Sequence, residues 1–125
     1  MTISNYGEAA LLDSFFNNTS AAKTARYAKL HTGDPGEDCT ANAATETTRE
    51  AITGAAAVSG AGTFTSVNDL AWTNVAATET YSHVSIWDDP TAGNALWSGA
   101  LTTPKAVVAA DSFTIPTGSL VVTLA

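Results

Sequence analysis

The stretch Thr80-Tyr81-Ser82-His83-Val84-Ser85-Ile86-Trp87, Asp88-Asp89-Pro90-Thr91-Ala92-Gly93-Asn94, Ala95-Leu96-Trp97-Ser98-Gly99-Ala100-Leu101 decides the fold. Two runs of strand-forming residues enclose a cluster of turn residues, the pattern of a β-hairpin with a long loop. Strand side chains alternate, so Val84 and Ile86 share one face and Tyr81, His83, Ser85 and Trp87 the other. On the return run Leu96 and Ala100 share a face, and Trp97 and Leu101 take the opposite one. Asp88, Asp89, Pro90, Gly93 and Asn94 are residues that turns select for their dihedrals or their local hydrogen bonds. The hairpin fixes architecture and carries no recognisable chemistry.

Around it stand 125 residues, enough for one domain with its own core. Charged residues are 14 % of the chain, against roughly 25 % in ordinary globular proteins. Thr, Ser, Ala and Asn fill that space, and such a surface packs against identical copies without burying unpaired charge. Twelve acids face five bases, a net charge of −7. Lys23, Arg26, Lys29, Arg49 and Lys105 build no phosphate-binding face, so nucleic acid is excluded as a partner. No apolar run approaches the ~18–20 residues of a membrane span, and a membrane is excluded too. The N-terminus lacks the basic and apolar regions of a signal peptide, which predicts synthesis in a cytoplasm. A single cysteine, Cys39, excludes an intrachain disulfide.

Residues 5–16 predict a short amphipathic helix, with Asn5 as its cap and Glu8 completing a capping box. Leu11, Leu12, Phe15 and Phe16 form its apolar stripe, which either packs on the sheet or docks on a partner subunit. Ala25–His31 predicts the first strand, with Ala28 and Leu30 inward and Tyr27, Lys29 and His31 opposite. Asp34-Pro35-Gly36 is a strong turn signal. Residues 40–50 fit either a loose helix or an extended excursion, and Arg49–Ile52 leads into another strand. A small-residue connection, Gly54 to Gly62, precedes strands at Thr63–Thr65 and Leu70–Thr73. Turns are expected at Thr103-Pro104-Lys105, Ala110-Asp111 and Pro116-Thr117-Gly118. They set off strands at 106–109, 112–115 and 119–125, the last with Leu120, Val122 and Leu124 on one face. Short strands at this spacing predict a mainly β, single-domain antiparallel β-sandwich with a short N-terminal helix. The helical arm spans 1–24 and the sandwich 25–125.

Asp34, Glu37 and Asp38 are the acids closest together in sequence, but their spacing matches no calcium loop and solvated turn acids are the expectation. His31 and His83 are expected as ordinary surface or interface histidines. No nucleophile elbow, zinc-protease helix or phosphate loop occurs, so no catalytic residue, metal ligand or cofactor is assigned. Tyr81, Trp87 and Trp97 form an aromatic strip if they share the outer hairpin face, able to hold a protein partner or a sugar. They are core residues if both sheet faces are covered. Leu11, Phe15, Tyr81, Trp87 and Trp97 are therefore the candidate interface residues.

Ala28-Lys29-Leu30-His31-Thr32-Gly33-Asp34-Pro35-Gly36, with Ala-Thr-Glu and the Arg49 segment after it, resembles a group of small phage virion proteins. Tyr81–Asp88, Leu96–Leu101 and the tail Asp111–Leu120 are similar to the same group in the same order. The resemblance implies a non-enzymatic virion component, of the tail fibre, minor tail or capsid decoration (cement) type, and carries no catalytic residue. Cys39 and the Ala-rich Gly54–Gly62 connection depart from the pattern. The expected partners are copies of the chain, as a trimer or ring, and the major capsid or tail proteins. The expected location is the virion, after synthesis in the host cytoplasm. Compactness and the lack of a fibrous repeat favour decoration, whereas the customary label of the group favours the tail. A carbohydrate-binding receptor module of a fibre is the alternative.

Overall fold

The computed structural model describes residues 1–54 and 62–124. The elements run β1 Thr2–Ile3, α1 Asn5–Phe16, β2 Tyr27–His31, β3 Glu50–Ala51, β4 Thr63–Thr65, β5 Leu70–Trp72, β6 Glu79–Trp87, β7 Ala95–Val107, β8 Phe113–Ile115 and β9 Val121–Thr123. Five strands form an antiparallel sheet in the order β1-β7-β6-β2-β3, and two further ladders pair β4 with β9 and β5 with β8. The protein is mainly β, with one short N-terminal helix. The part of the connection at 55–61 and the terminal Ala125 lie outside the described residues.

Ala28 pairs with Ile86 and Leu30 with Val84, so these four share one sheet face. They join Leu70, Trp72, Phe113, Ile115 and Val122 from the two small ladders, and Leu120 just before β9, in one buried cluster. Burial of these side chains is the main force holding the ladders on the sheet. Residues 40–50 contain no helix; the segment turns at Ala41 and Asn42, where φ is +51°, and reaches β3 without regular structure, with Ala44 and Glu46 buried.

The hairpin has two irregularities that the period-2 pattern cannot show, one between Ile86 and Trp87, where β7 skips Leu96, and a larger one between Tyr81 and His83. Tyr81 pairs with Lys105, but His83 pairs with Ala100, so β7 advances five residues while β6 advances two. The expected turn at Thr103-Pro104-Lys105 is thus a bulge inside β7, which continues to Val107. Pro104 has no N–H to offer a ladder and sits where pairing lapses. The break moves Tyr81 off the Ser85 and Trp87 face into the core, where its ring meets Phe113 edge-on at 5.3 Å.

The Tyr81 hydroxyl is buried without a hydrogen-bond partner. Burial, with Glu79 and Glu46 nearby, pushes its pKa up to about 12. Removing a buried polar atom that has no partner relieves its desolvation. Tyr81→Phe is expected to stabilise the fold by up to ~1 kcal/mol, read as a higher urea midpoint at unchanged slope.

The helix spans the expected residues, but its cap lies one residue earlier than expected. Ser4, not Asn5, caps it: its hydroxyl accepts from the Gly7 N–H at 3.0 Å and donates to the Ala95 carbonyl of β7. The third residue after the true cap is Gly7, so Glu8 completes no capping box. Gly7 lies against β7, where a Cβ would come within 2.8 Å of the Leu96 carbonyl oxygen. That close approach brings the first turn of α1 onto the sheet, and Gly7 is the helix's buried residue.

His31 departs from expectation as well. It is fully buried, because residues 32–44 fold back over its face of the sheet. Asp34 accepts from the Gly36 N–H at 2.9 Å, and its carbonyl accepts from Asn42 Nδ2 at 2.7 Å. Asp38 accepts from Asn5 Nδ2 at 3.0 Å, tying the loop to α1. Among the described residues no three His, Cys, Asp or Glu side chains converge as a metal site would require.

Candidate interaction surface

The five candidate residues fall into three environments. Tyr81 is in the core. Trp87 lies on the opposite sheet face, and Trp97, paired with Ile86, borders the face that carries the core. The three aromatics therefore form no common strip.

Trp87 is half-buried beneath cations. The Arg49 guanidinium sits 4.2 Å from its ring centroid and the Lys29 ammonium 5.6 Å. Arg49 also donates to the carbonyls of Asp89 and Ala92, each at 2.7 Å. Asp89 accepts from the backbone N–H groups of Thr91 and Ala92, and Asp88 from that of Asn94. These bonds, with Gly93 at φ +73°, shape the 88–94 loop. Lys23 reaches the loop from outside, 3.3 Å from Asp88, while donating to the Tyr6 hydroxyl at 2.6 Å. Arg49 is the bolt of this arrangement. Arg49→Ala is expected to cost about 1–2 kcal/mol through the lost stacking and the freed carbonyls. A red shift of Trp87 emission, as water reaches the ring, checks it.

Beneath the indole runs a buried polar chain. Trp87 Nε1–H donates to Ser85 Oγ at 2.8 Å, and Ser85 Oγ lies 2.7 Å from His31 Nε2. His31 Nδ1 lies 3.0 Å from the Ala41 carbonyl oxygen. A carbonyl only accepts, so Nδ1 carries the proton, and Ser85 directs its own hydroxyl proton to Nε2. Ser85 and His31 are both fully buried. The pair resembles a nucleophile and its base, yet its evident work is to pin the 32–44 loop to the sheet.

Leu11, Trp97 and Phe15 mark the third environment. Leu11, Arg26, Ile52, Gly62, Phe64, Ile86, Leu96, Trp97, Val122 and Leu124 line an open apolar cleft of about 310 Å³ between α1, the large sheet and the β4–β9 ladder. Arg26 is its cation. Its guanidinium lies 5.6 Å from the Phe64 ring centroid, and its Nε is buried without a hydrogen-bond partner. One turn beyond Leu11 the helix stripe runs off the sheet altogether. Phe15 is 74 % exposed, Phe16 79 % and Leu12 58 %.

Reading the sequence found the aromatics and the helix but missed Arg26 and Arg49. Each acts on a ring far away in the chain, and no local spacing signals that. The helix stripe was legible, and the finding is that most of it covers nothing in its own chain.

The sequence matches the family Gp80, podophage GP4 fiber I protein gp80, over residues 2–123. No curated protein matches it. The match covers almost the whole chain, both sheet faces and the exposed helix included. This chain therefore belongs to the podophage GP4 fiber I protein gp80 family and is a fibre-type structural protein of a phage virion.

Proposed function

We propose that this protein is a tail-associated fibre subunit that works by assembly rather than catalysis, joining copies of itself, as a trimer or ring, and other virion proteins. The observation that carries this reading is the exposed apolar end of α1. Two adjacent phenylalanines in water, more exposed than any other large apolar side chain among the described residues, are what an interface leaves when its partner is missing. Family membership favours the tail over the capsid-decoration placement. Immunogold labelling of purified particles tests this. Gold confined to the tail is the expected result, and gold spread over the head would make the protein a decoration subunit.

The glycan-binding alternative receives less support. Sugar-binding rings present an open face flanked by polar side chains, whereas Arg49 lies over Trp87 and Trp97 borders an apolar cleft. Retention on a glycan array that is lost in Trp97→Ala would reverse that preference.

A further inference from the structure

We propose that the α1 end of one copy seats Phe15 and Phe16 in the Trp97 cleft of a second copy. The inference rests on the fibre-subunit reading and names the surfaces through which such a subunit would self-associate.

Size is the first argument. A cavity of about 150 Å³ accommodates benzene, so a cleft of about 310 Å³ has room for two phenyl-sized groups. Apart from Arg26 and Gly62, its walls are Leu, Ile, Phe, Val and Trp side chains, which gain by excluding water. The chain's own Leu11 already closes one side of the cleft. Phe15, four residues on, continues the same helix face outward rather than folding back into it.

Charge is the second. Helix α1 carries Glu8 and Asp13 and has no basic residue in its last turn. Its C-terminal end therefore combines the negative pole of the helix dipole with the Asp13 carboxylate, whose Oδ1 accepts from Asn17 Nδ2 at 2.8 Å. The cleft supplies the complement, since Arg26 is the cation among its lining residues, with its guanidinium 5.6 Å from the Phe64 ring centroid. An incoming helix end brings apolar rings for the walls and negative charge toward Arg26. One chain thus carries both complementary halves.

Area is the third. At their observed exposures Phe15 and Phe16 present roughly 300 Å². In a two-fold pair or a closed ring every copy gives a helix end and receives one. Each copy then buries its own two rings and its own cleft wall, on the order of 400 Å² before the rim is counted, about half of the ~800 Å² per partner of stable interfaces, with the rest falling to the rim.

The test uses the full chain with a benzoyl-phenylalanine photocrosslinker in place of Phe15, mixed with isotopically heavy copies. Crosslinks joining light Phe15 peptides to heavy peptides of β7 or β9 are expected. Light scattering should show an oligomer for the native chain. For Phe15→Ser with Phe16→Ser, a monomer should remain at concentrations at least tenfold higher. Both replaced rings face solvent in the single chain, so unchanged circular dichroism and a retained cooperative melt will show that the variant is folded. A native chain that stays monomeric at high micromolar concentration overturns the proposal. So does a variant that assembles as well as the native chain, or crosslinks that avoid the cleft. Gold on the tail together with any of these outcomes would leave the fibre reading intact and remove only this interface. Gold on the head with the expected crosslinks would do the reverse.

Discussion

Trp72→Ala is expected to destabilise the protein by about 3–5 kcal/mol, the range for deleting a large aromatic from a core. Trp72 is fully buried on β5, its ring 5.8 Å from that of Phe113 on the partner strand β8. Tyr81 meets the same Phe113 from the large sheet, so the three rings join the β5–β8 ladder to β6. The loss has a polar part as well. Trp72 Nε1–H donates to the Thr48 carbonyl at 2.8 Å and holds the segment before β3 against the core. Alanine leaves both a cavity and an unpaired carbonyl, and β5 has only three residues with which to compensate. Urea denaturation is the direct check, with an expected melting loss of roughly 15 °C for a chain of this size. A loss below ~1 kcal/mol would mean that the ladder closes over the gap and that the aromatic cluster is not the joint between the layers.

The second large effect is acid sensitivity centred on His31. The imidazole is buried, and that burial, reinforced by Lys29 and His83, lowers its pKa from the ordinary 6.5 despite its bond to the Ala41 carbonyl. A base with a depressed folded pKa binds fewer protons in the native state than in the unfolded chain. Its stabilising effect is therefore complete above pH 6.5 and is lost as pH falls below it, at up to ~1.4 kcal/mol per pH unit. The carboxylates act elsewhere. Asp69 is held low by the Thr117 N–H and hydroxyl, and Asp89 by the Ala92 and Thr91 N–H groups, so the stability they lend is complete above about pH 4 and is lost only below it. Glu50 is raised by burial and by Glu46, so it works in the opposite sense above its ordinary 4.5. A loss of stability as pH falls from 6.5 to about 5.5 is thus the histidine's.

His31→Leu should remove that slope. It also leaves the Ser85 hydroxyl and the Ala41 carbonyl without their partner, at an expected cost of about 3 kcal/mol near neutral pH. Denaturation midpoints of the native chain and the variant from pH 7.5 to 5.5 check both statements. A native chain whose stability is flat across that range would show that the imidazole charges without strain.

How much of this was legible can be followed along single residues. Ala28 and Leu30 were placed inward by alternation alone, and they are inward. Residues 5–16 are a helix, and the turn at 88–94 joins the two longest strands. In each case the signal lies within a few residues: a period of 2, a period of 3.6, or side chains that set their own backbone dihedrals. Asn5 was a reasonable cap on local grounds. Ser4 took the place because its hydroxyl could also reach β7, 91 residues away in sequence.

Tyr81 and His31 show the limit more sharply. Both occupy positions where strict alternation predicts the outer face. Tyr81 is in the core because a bulge opposite Ser82 breaks the register, and the residues that make that bulge belong to the other strand. His31 is buried because the loop after it folds back and supplies a carbonyl for its ring. The sequence by itself determined the class of fold, the helix, the hairpin and the absence of a basic face, since each follows from local periodicity or composition. Only the tertiary structure decided which aromatics are buried, which cation lies over Trp87, and that Phe15 and Phe16 are left uncovered beside an apolar cleft. Those outcomes depend on pairing register and on contacts between segments far apart in the chain, where local preference carries no information.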